Sequence, residues 1–216
     1  MLTTFNRYLF IGAHPDDIEI WAGGLILRIL NENASAIVNC VVLTDGSAGN
    51  GSVEIRYDEA RRASSMLGVT SYEFVGLKDG SLSSNLELQK ILANLLRKYK
   101  PDLLVTHPFN DRHPDHAAVG SAIDKALFLS MVSPEFLEYE PHLCKNILRF
   151  VSDPFQSPHS KLYVDISDFY EKKKQIIMNF RTQLEVLIPY LQLNELYGKM
   201  NGWVACEIFE VETLSF

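Results

Sequence analysis

A continuous apolar run constrains the fold of this chain more than any other feature. Residues 36–43 read Ala-Ile-Val-Asn-Cys-Val-Val-Leu, and polar residues do not alternate with apolar ones. A strand with one face in water shows such alternation, whereas a strand covered on both faces does not. We therefore predict a buried strand in a parallel sheet that carries helices on both of its faces.

Strand-like and helix-like segments alternate through the first two thirds of the chain. Besides the run at 36–43, short apolar segments predict strands at 8–12, 72–75 and 103–106. Apolar side chains at helical spacing predict helices around 18–30, 55–67, 86–99 and 114–131. We expect Gly68 and Pro101 to mark the ends of the second and third helices. This β-α-β-α order is typical of parallel strands.

The last third of the chain is predicted to extend the same domain. Its patterns predict strands at 148–151, 162–166 and 203–211, and a helix at 168–181 that Asp168 and Glu171 cap. The 216 residues are fewer than the roughly 250 at which single cores usually divide. We therefore expect residues 1–216 to form one α/β domain of the Rossmann-like kind, with a mostly parallel sheet flanked by helices.

Charge and cysteine content disfavour several classes of protein. The formal net charge is −7, and the basic run at 172–174 is interpreted as a solvated helix face, so nucleic acid is not an expected partner. Three cysteines without a CxxC pair indicate a reducing compartment, and Cys40 and Cys206 lie in apolar runs that predict buried thiols. We find neither a signal-peptide core nor an apolar stretch of roughly 20 residues, so we expect a cytoplasmic protein without membrane insertion. Homo-oligomerisation is compatible with the sequence.

Two histidine-containing motifs follow predicted strands. Residues 14–17 read His-Pro-Asp-Asp and come after the first strand, and residues 113–116 read His-Pro-Asp-His and come shortly after the strand at 103–106. Open α/β sheets bind their ligands beyond the carboxyl ends of the strands. We therefore expect the two motifs to meet at one edge of the sheet, although about a hundred residues separate them.

Three of these side chains are predicted metal ligands. His14 and Asp17 are one turn apart, and His116 can supply a third ligand from the other motif. Two imidazoles and one carboxylate leave a coordination position open, as in catalytic zinc sites. Zn²⁺ is the expected cofactor, and Fe²⁺ or another divalent metal is the alternative. A metal in such a site lowers the pKa of a bound water to near 7.

The remaining motif residues fit amide hydrolysis. Asp16 can accept the proton of the water as general base, and His113 can stabilise the oxyanion and protonate the departing amine. Asp115 is expected to hold the His113 ring and to favour its charged form. In a single motif, Pro-Asp after a strand more often caps a helix than catalyses a reaction. Two such motifs at the functional edge favour the metal interpretation.

The motifs carry a family resemblance. Residues 13–19 (Ala-His-Pro-Asp-Asp-Ile-Glu) and the Gly23-Gly24 pair resemble the opening signature of the PIG-L/LmbE-like N-deacetylases. The resemblance continues through segments 43–46, 59–63, 76–80, 110–116 and 164–166. It implies zinc on the same three ligands, the same roles for the other three motif residues, a Rossmann-like fold, and N-acetylglucosamine units as substrates. The chain departs from the family at Ser47, where many members carry glutamate.

Weaker candidates lie near the motifs. Arg56 and Arg112 can contact a substrate phosphate or sugar hydroxyl, although an ordinary surface arginine is an equal alternative for each. His107 is interpreted as a neutral, hydrogen-bonded core histidine. The Gly23-Gly24 pair is expected to allow close packing.

Three other functions remain open at this point. The same site can open amides other than acetyl amides. Two histidines and a carboxylate also describe the iron(II) triad of oxygenases. A non-catalytic relic that binds a sugar is the third alternative. The favoured prediction is a metal-dependent hydrolase that acts on a small acetamido-sugar substrate.

Overall fold

A computed structural model describes residues 2–132, 134–152 and 160–214. The strands are β1 (Arg7–Gly12), β2 (Ile37–Thr44), β3 (Ser71–Leu77), β4 (Leu103–Thr106), β5 (Asn146–Phe150), β6 (Lys161–Asp165) and β7 (Cys206–Thr213). The helices are α1 (Asp17–Glu32), α2 (Val53–Leu67), α3 (Leu86–Tyr99), α4 (Pro114–Met131), α5 (Tyr170–Ile177) and α6 (Leu184–Met200). None of the helices in the described ranges is long and apolar enough to cross a membrane.

The strands form one mostly parallel sheet, as predicted. Their order is β3-β2-β1-β4-β5-β7-β6. The pairs from β3 to β5 are parallel, whereas β7 runs antiparallel to both β5 and β6. The sheet is therefore a Rossmann-like α/β sheet whose last strand inserts near one edge.

Each face of the sheet is covered by an apolar layer. In β1, Phe10 faces the layer that contains residues of α1, α2, α5 and α6, while Leu9 and Ile11 face the layer that contains residues of α3 and α4. Every residue of β2 after its first is buried, which confirms the prediction for this strand. The three cysteines are buried free thiols, which confirms the prediction made for Cys40 and Cys206.

Local signals place the ends of two helices correctly. Gly68 follows α2 with a φ of 79°, and its N–H donates to the carbonyl of Ser64. A positive φ is costly for residues with a Cβ, so glycine suits this position. Helix α3 ends at Tyr99, two residues before Pro101.

The C-terminal third differs from the prediction. The helix predicted at 168–181 is limited to α5, and Asp168 lies in a short 3-10 turn before it without capping α5 by its side chain. The sequence does not predict helix α6, because its apolar residues do not form a single stripe. Apolar side chains such as Val186 are exposed, and Pro189 lies inside the helix. Strand β5 begins and ends slightly earlier than predicted, and β7 begins at Cys206 rather than at 203.

The interpretation of residues 172–174 as a solvated face is wrong at Lys173. This side chain is completely buried, and its Nζ donates to Oε1 of Glu207 at 2.7 Å, to the carbonyl of Ile20 at 2.6 Å and to Oδ1 of Asn194 at 2.7 Å. The three acceptors satisfy the three donors of the ammonium group, which makes its burial tolerable.

The Lys173–Glu207 pair also anchors α1. The carboxylate of Glu207 accepts the N–H groups of Gly24 and Leu25, at 2.7 and 2.8 Å. A Cβ added at Gly24 would lie 2.7 Å from the Ile166 side chain, so only glycine fits this approach. The expected close packing at the glycine pair is therefore found at Gly24.

Candidate active site

The two histidine motifs meet because the strands before them are neighbours. β1 and β4 are paired in parallel, and the motifs follow their carboxyl ends. The segments after the strands are tied directly, since the N–H of Ala13 donates to Nε2 of His107 at 3.0 Å. The predicted convergence at this edge of the sheet is found in the structure.

The three predicted ligands lie next to one another. The Nδ1 of His14 lies 3.1 Å from Nε2 of His116 and 3.5 Å from Oδ2 of Asp17. Oδ1 of Asp17 lies 3.3 Å from Nε2 of His116. Tetrahedral ligands with metal bonds of 2.0–2.1 Å are about 3.3 Å apart. These distances involve both oxygens of Asp17, so the types of donor fit a divalent metal such as zinc. The groups whose single ligand atoms all lie within 4.8 Å of one another include His14 with His113 and His116, and Asp17 with His107 and His116.

The electrostatics of this cluster also favour a cation. Burial by itself lowers the pKa of His14, but hydrogen bonds to Asp115, Asp17 and Asp79 raise it to about 12. Burial is likewise outweighed at His116, where Asp17 and Asp111 raise the pKa to about 9. The surrounding carboxylates therefore stabilise positive charge at the point where the two imidazoles meet.

Two carboxylates hold the far side of the His14 ring. Its Nε2 lies 3.1 Å from Oδ1 of Asp79 and 3.3 Å from Oδ2 of Asp115. Asp115 is completely buried and accepts the N–H groups of Gly80 and Leu82, at 2.8 and 3.0 Å. A carboxylate on the second nitrogen of a ligating histidine fixes its tautomer and orientation.

A third carboxylate holds His116. Oδ2 of Asp111 lies 3.1 Å from the Nδ1 of His116 and accepts a short hydrogen bond from the hydroxyl of Ser152. The prediction from sequence assigned no role to Asp111, Asp79 or Ser152. Both aspartates lie in segments that resemble the family, which was the only signal available for them.

The expectation that the Asp115 carboxylate holds the His113 ring is wrong. The Asp115 carboxylate is directed to His14 and to the two loop amides. Its backbone N–H instead donates to Nδ1 of His113, 3.3 Å away, because His113 is the N-cap residue of α4. This bond leaves Nε2 as the protonated nitrogen of the neutral ring. Burial and the nearby His116 and His14 lower the pKa of His113, so the neutral form is favoured over the expected charged one.

The His113 ring lies beside both histidine ligands. Its centroid is 4.6 Å from that of His14 and 4.5 Å from that of His116. His113 is exposed, whereas the two ligands are buried. It is thus the imidazole of the cluster most open to a bound molecule.

Asp16 occupies a strained backbone position beside the ligands. Its φ is 146°, which is unusual for a residue other than glycine and typical of functional sites. Burial and the charge of Asp17 raise the pKa of Asp16, against the lowering effect of Arg56. A carboxylate whose pKa is raised in this direction is a better proton acceptor than an ordinary aspartate.

Arg56 is not the ordinary surface arginine of the alternative interpretation. It is only 3% exposed, and its guanidinium donates to Oδ2 of Asp16, to the carbonyl of Pro15 and to the carbonyl of Gly46. Arg56 therefore holds the candidate base, and because it also lines the pocket, its contact with substrate stays a prediction. Arg112 is exposed at the wall of the pocket, where the substrate role stays a prediction.

His107 is a buried neutral histidine, as interpreted from the sequence. It is completely buried, and burial together with the charge of His116 lowers its pKa to about 4. Its ring stacks on His116 at 4.0 Å, and its Nε2 lies 3.1 Å from Oδ2 of Asp17. It is not among the residues that line the pocket, but with Asp17 and His116 it forms one of the groups that could hold a metal ion.

A cavity of about 790 Å³ opens above these residues. The three candidate ligands, Asp16 and His113 line one part of it. Residues of α1 and α6 line another part. A volume of this size lies within the range of small-molecule sites, roughly 300–1,000 Å³.

The sequence matches a known family over the segment that builds this site. Residues 9–127 match the model of PIG-L, described as GlcNAc-PI de-N-acetylase, which is more than half of the chain. The chain belongs to the PIG-L family. The resemblance inferred from the motifs is thereby confirmed.

The chain is also similar to individual proteins in sequence and in structure. The diacetylchitobiose deacetylase of Thermococcus kodakarensis is 29% identical over 91% of this chain and 79% of its own length. The structure of the N,N'-diacetylchitobiose deacetylase from Pyrococcus horikoshii has a TM-score of 0.84 and 25% identity, covering 98% of this chain and 85% of that one. The structure of a 4-carboxy-2-hydroxymuconate hydratase from Pseudomonas putida has a TM-score of 0.81 and 20% identity, covering 98% of each chain. At this identity, the similarity extends to the fold and not to the activity.

Proposed function

We propose that this PIG-L family protein is a metal-dependent hydrolase that removes the N-acetyl group from an N-acetylglucosamine-type sugar or its conjugate. The convergence of His14, Asp17 and His116 beside Asp16 and His113 carries the proposal. The relatives support it, since they include named diacetylchitobiose deacetylases. A relative named as a 1D-myo-inositol 2-acetamido-2-deoxy-alpha-D-glucopyranoside deacetylase also acts on an acetamido sugar.

The three converging ligands would hold the metal. Zinc fits them because it accepts imidazole nitrogen and carboxylate oxygen and leaves a position open in catalytic sites. When bound, a divalent metal supplies Lewis acidity toward the acetyl carbonyl and toward water. Asp79 and Asp115 fix the His14 ring, and Asp111 fixes the His116 ring, so that their donor nitrogens face each other.

The chain's own residues complete the hydrolysis. Asp16 takes a proton from water as the water oxygen bonds to the acetyl carbon. The N–H at Nε2 of His113 donates to the carbonyl oxygen as negative charge develops there. The carbon–nitrogen bond breaks as Asp16 returns the proton to the nitrogen. This step differs from the one predicted for His113, because the neutral His113 ring uses its single N–H on the carbonyl oxygen. The products are acetate and a free amine, and Asp16 is restored.

Acetate release tests this proposal. The zinc-loaded protein is incubated with N-acetylglucosamine and a set of its conjugates, and acetate and free amine are measured. Asp16→Asn should lower turnover by about 10²- to 10⁴-fold and keep the bound zinc, since asparagine has nearly the shape of aspartate and position 16 is not a proposed ligand. Asp168→Asn, on an exposed aspartate outside the pocket, is the matched control. An Asp16→Asn protein with normal turnover would remove the proposed base.

The same assay separates the other functions. Release of a different acid from other N-acyl sugars, with no acetate, identifies an amidase of different acyl specificity. Turnover that requires oxygen and yields no acetate identifies an iron oxygenase. A protein that binds acetamido sugars and metal without turnover is a relic. Because a hydratase shares this fold, the products and not the architecture decide among them.

A further inference from the structure

The part of the pocket beyond the candidate catalytic groups is apolar. Its described lining residues from α1 and α6 include Ile20, Trp21, Val186, Leu187, Tyr190 and Leu193. The rings of Trp21 and Tyr190 pack edge to face, with centroids 4.5 Å apart. Both rings are half-buried, and Val186 is 58% exposed, so the wall presents apolar surface to the pocket and its mouth.

The charges on this wall have one sign. Residues 184–193 read Leu-Glu-Val-Leu-Ile-Pro-Tyr-Leu-Gln-Leu, so Glu185 is the only charged residue of that stretch. Glu185 is exposed and lines the pocket. An anionic group bound against this wall would lose water and gain no cationic partner from the stretch, which is unfavourable.

The cavity has room for more than one amino sugar. Its volume of about 790 Å³ suits a drug-sized ligand, whereas the chemistry requires only an acetamido group beside His113 and Asp16. The rest of the cavity is therefore available to the group attached to the sugar. Aromatic and aliphatic side chains favour an attached group that offers apolar surface.

We infer that the wall of Trp21, Tyr190 and the α6 apolar residues binds an uncharged aglycone with apolar surface, and that this selects neutral N-acetylglucosamine conjugates over anionic ones. The inference rests on the proposed function and names the substrate class of the same site. Arg112 also lines the pocket but belongs to neither α1 nor α6.

Three substrates of matched design test the inference. They are N-acetylglucosamine, its octyl β-glycoside, and its 7-carboxyheptyl β-glycoside, which has the same length of chain and ends in a carboxylate. We expect kcat/KM for the octyl glycoside to exceed both others by about tenfold, since a tenfold gain requires burial of only about 60 Å² of apolar surface. Detergent aggregation is avoided by working below the critical micelle concentration.

Variants then assign the preference to the wall. Glu185→Lys should raise the ratio of kcat/KM for the carboxyheptyl over the octyl glycoside several-fold, whereas Glu140→Lys, the same charge reversal at an exposed site outside the pocket, should leave the ratio unchanged. Tyr190→Ala should reduce the preference for the octyl glycoside over the free sugar, and Tyr190→Phe should retain it. Phe128→Ala, at an exposed aromatic residue outside the pocket, is the control for loss of a ring.

The outcomes distinguish the two proposals. If acetate is released neither from these three substrates nor from any other N-acetylglucosamine conjugate, the proposed function is overturned. Acetate released with equal kcat/KM from all three, or fastest from the carboxyheptyl glycoside, overturns the inference and leaves the proposed function standing. An unchanged ratio in Glu185→Lys likewise overturns the role of the wall, and thermal unfolding of each variant checks that it is folded.

Discussion

The Nη2 of Arg56 lies 3.1 Å from Oδ2 of Asp16, and neither residue is more than 9% exposed. The same guanidinium donates to the carbonyls of Pro15 and Gly46. One side chain thus joins the candidate base to the backbone before it and to the glycine-containing loop after β2. The planar guanidinium is suited to this arrangement because its donors point in fixed directions.

Replacement of Arg56 by lysine is expected to misplace Asp16. Lysine keeps the charge but cannot span the three acceptors, so kcat/KM for the acetylated substrate should fall by about 10- to 100-fold, as for other residues that orient a metal site. Bound zinc should stay at the wild-type level, because no candidate ligand touches Arg56. Arg62→Lys, at an exposed arginine of the same helix, should have no effect. Wild-type kinetics in Arg56→Lys would contradict this role.

Asp111 is expected to control metal affinity. Its carboxylate lies 3.1 Å from Nδ1 of His116, on the side of the ring opposite the candidate ligand atom. Asp111→Asn keeps the shape and removes the charge, so the Kd for zinc should rise by about 10- to 100-fold. Competition with a chromogenic chelator measures this value, and Asp168→Asn serves as the exposed control. If the Kd for zinc is unchanged, Asp111 does not support the metal site.

The fold and the meeting of the motifs could be predicted because they depend on local patterns. The uninterrupted apolar run of β2 indicates burial on both faces, and the position of each histidine motif after a strand indicates the edge of the sheet. β1 and β4 then turn out to be neighbours. No long-range information beyond the rules of parallel sheets was needed to bring His14 close to His116.

The orientation of the supporting side chains could not be predicted in this way. Asp115 follows Pro114 at the start of α4, and nothing in this local sequence indicates the direction of its carboxylate. In the folded protein, the N–H groups of Gly80 and Leu82 bind the carboxylate and direct it toward His14 rather than His113. Helix α6 has no single apolar stripe in its sequence, because some of its apolar side chains line the pocket and others face the core. The helical spacing of apolar residues is therefore not visible from the sequence.

Lys173 is the clearest case of burial decided by a distant partner. The sequence shows three consecutive lysines, and nothing local distinguishes the middle one. Its partner Glu207 lies in β7, where it also accepts two N–H groups from α1. The pair therefore links α5, β7 and the helix that carries Asp17.

The last prediction concerns the stability supplied by this pair. Lys173→Met leaves the Glu207 carboxylate buried without its cation, so the free energy of unfolding should fall by about 3–5 kcal/mol. Lys172→Met, at the exposed neighbouring lysine, should change it by no more than about 0.5 kcal/mol. The double variant Lys173→Met/Glu207→Gln removes both charges and should be less destabilised than the sum of the single variants, because the two side chains are in direct contact. Urea unfolding at neutral pH measures the wild type, the single variants Lys172→Met, Lys173→Met and Glu207→Gln, and the double variant. Additive losses, or a Lys173→Met protein as stable as Lys172→Met, would show that the buried pair does not hold α1 in place.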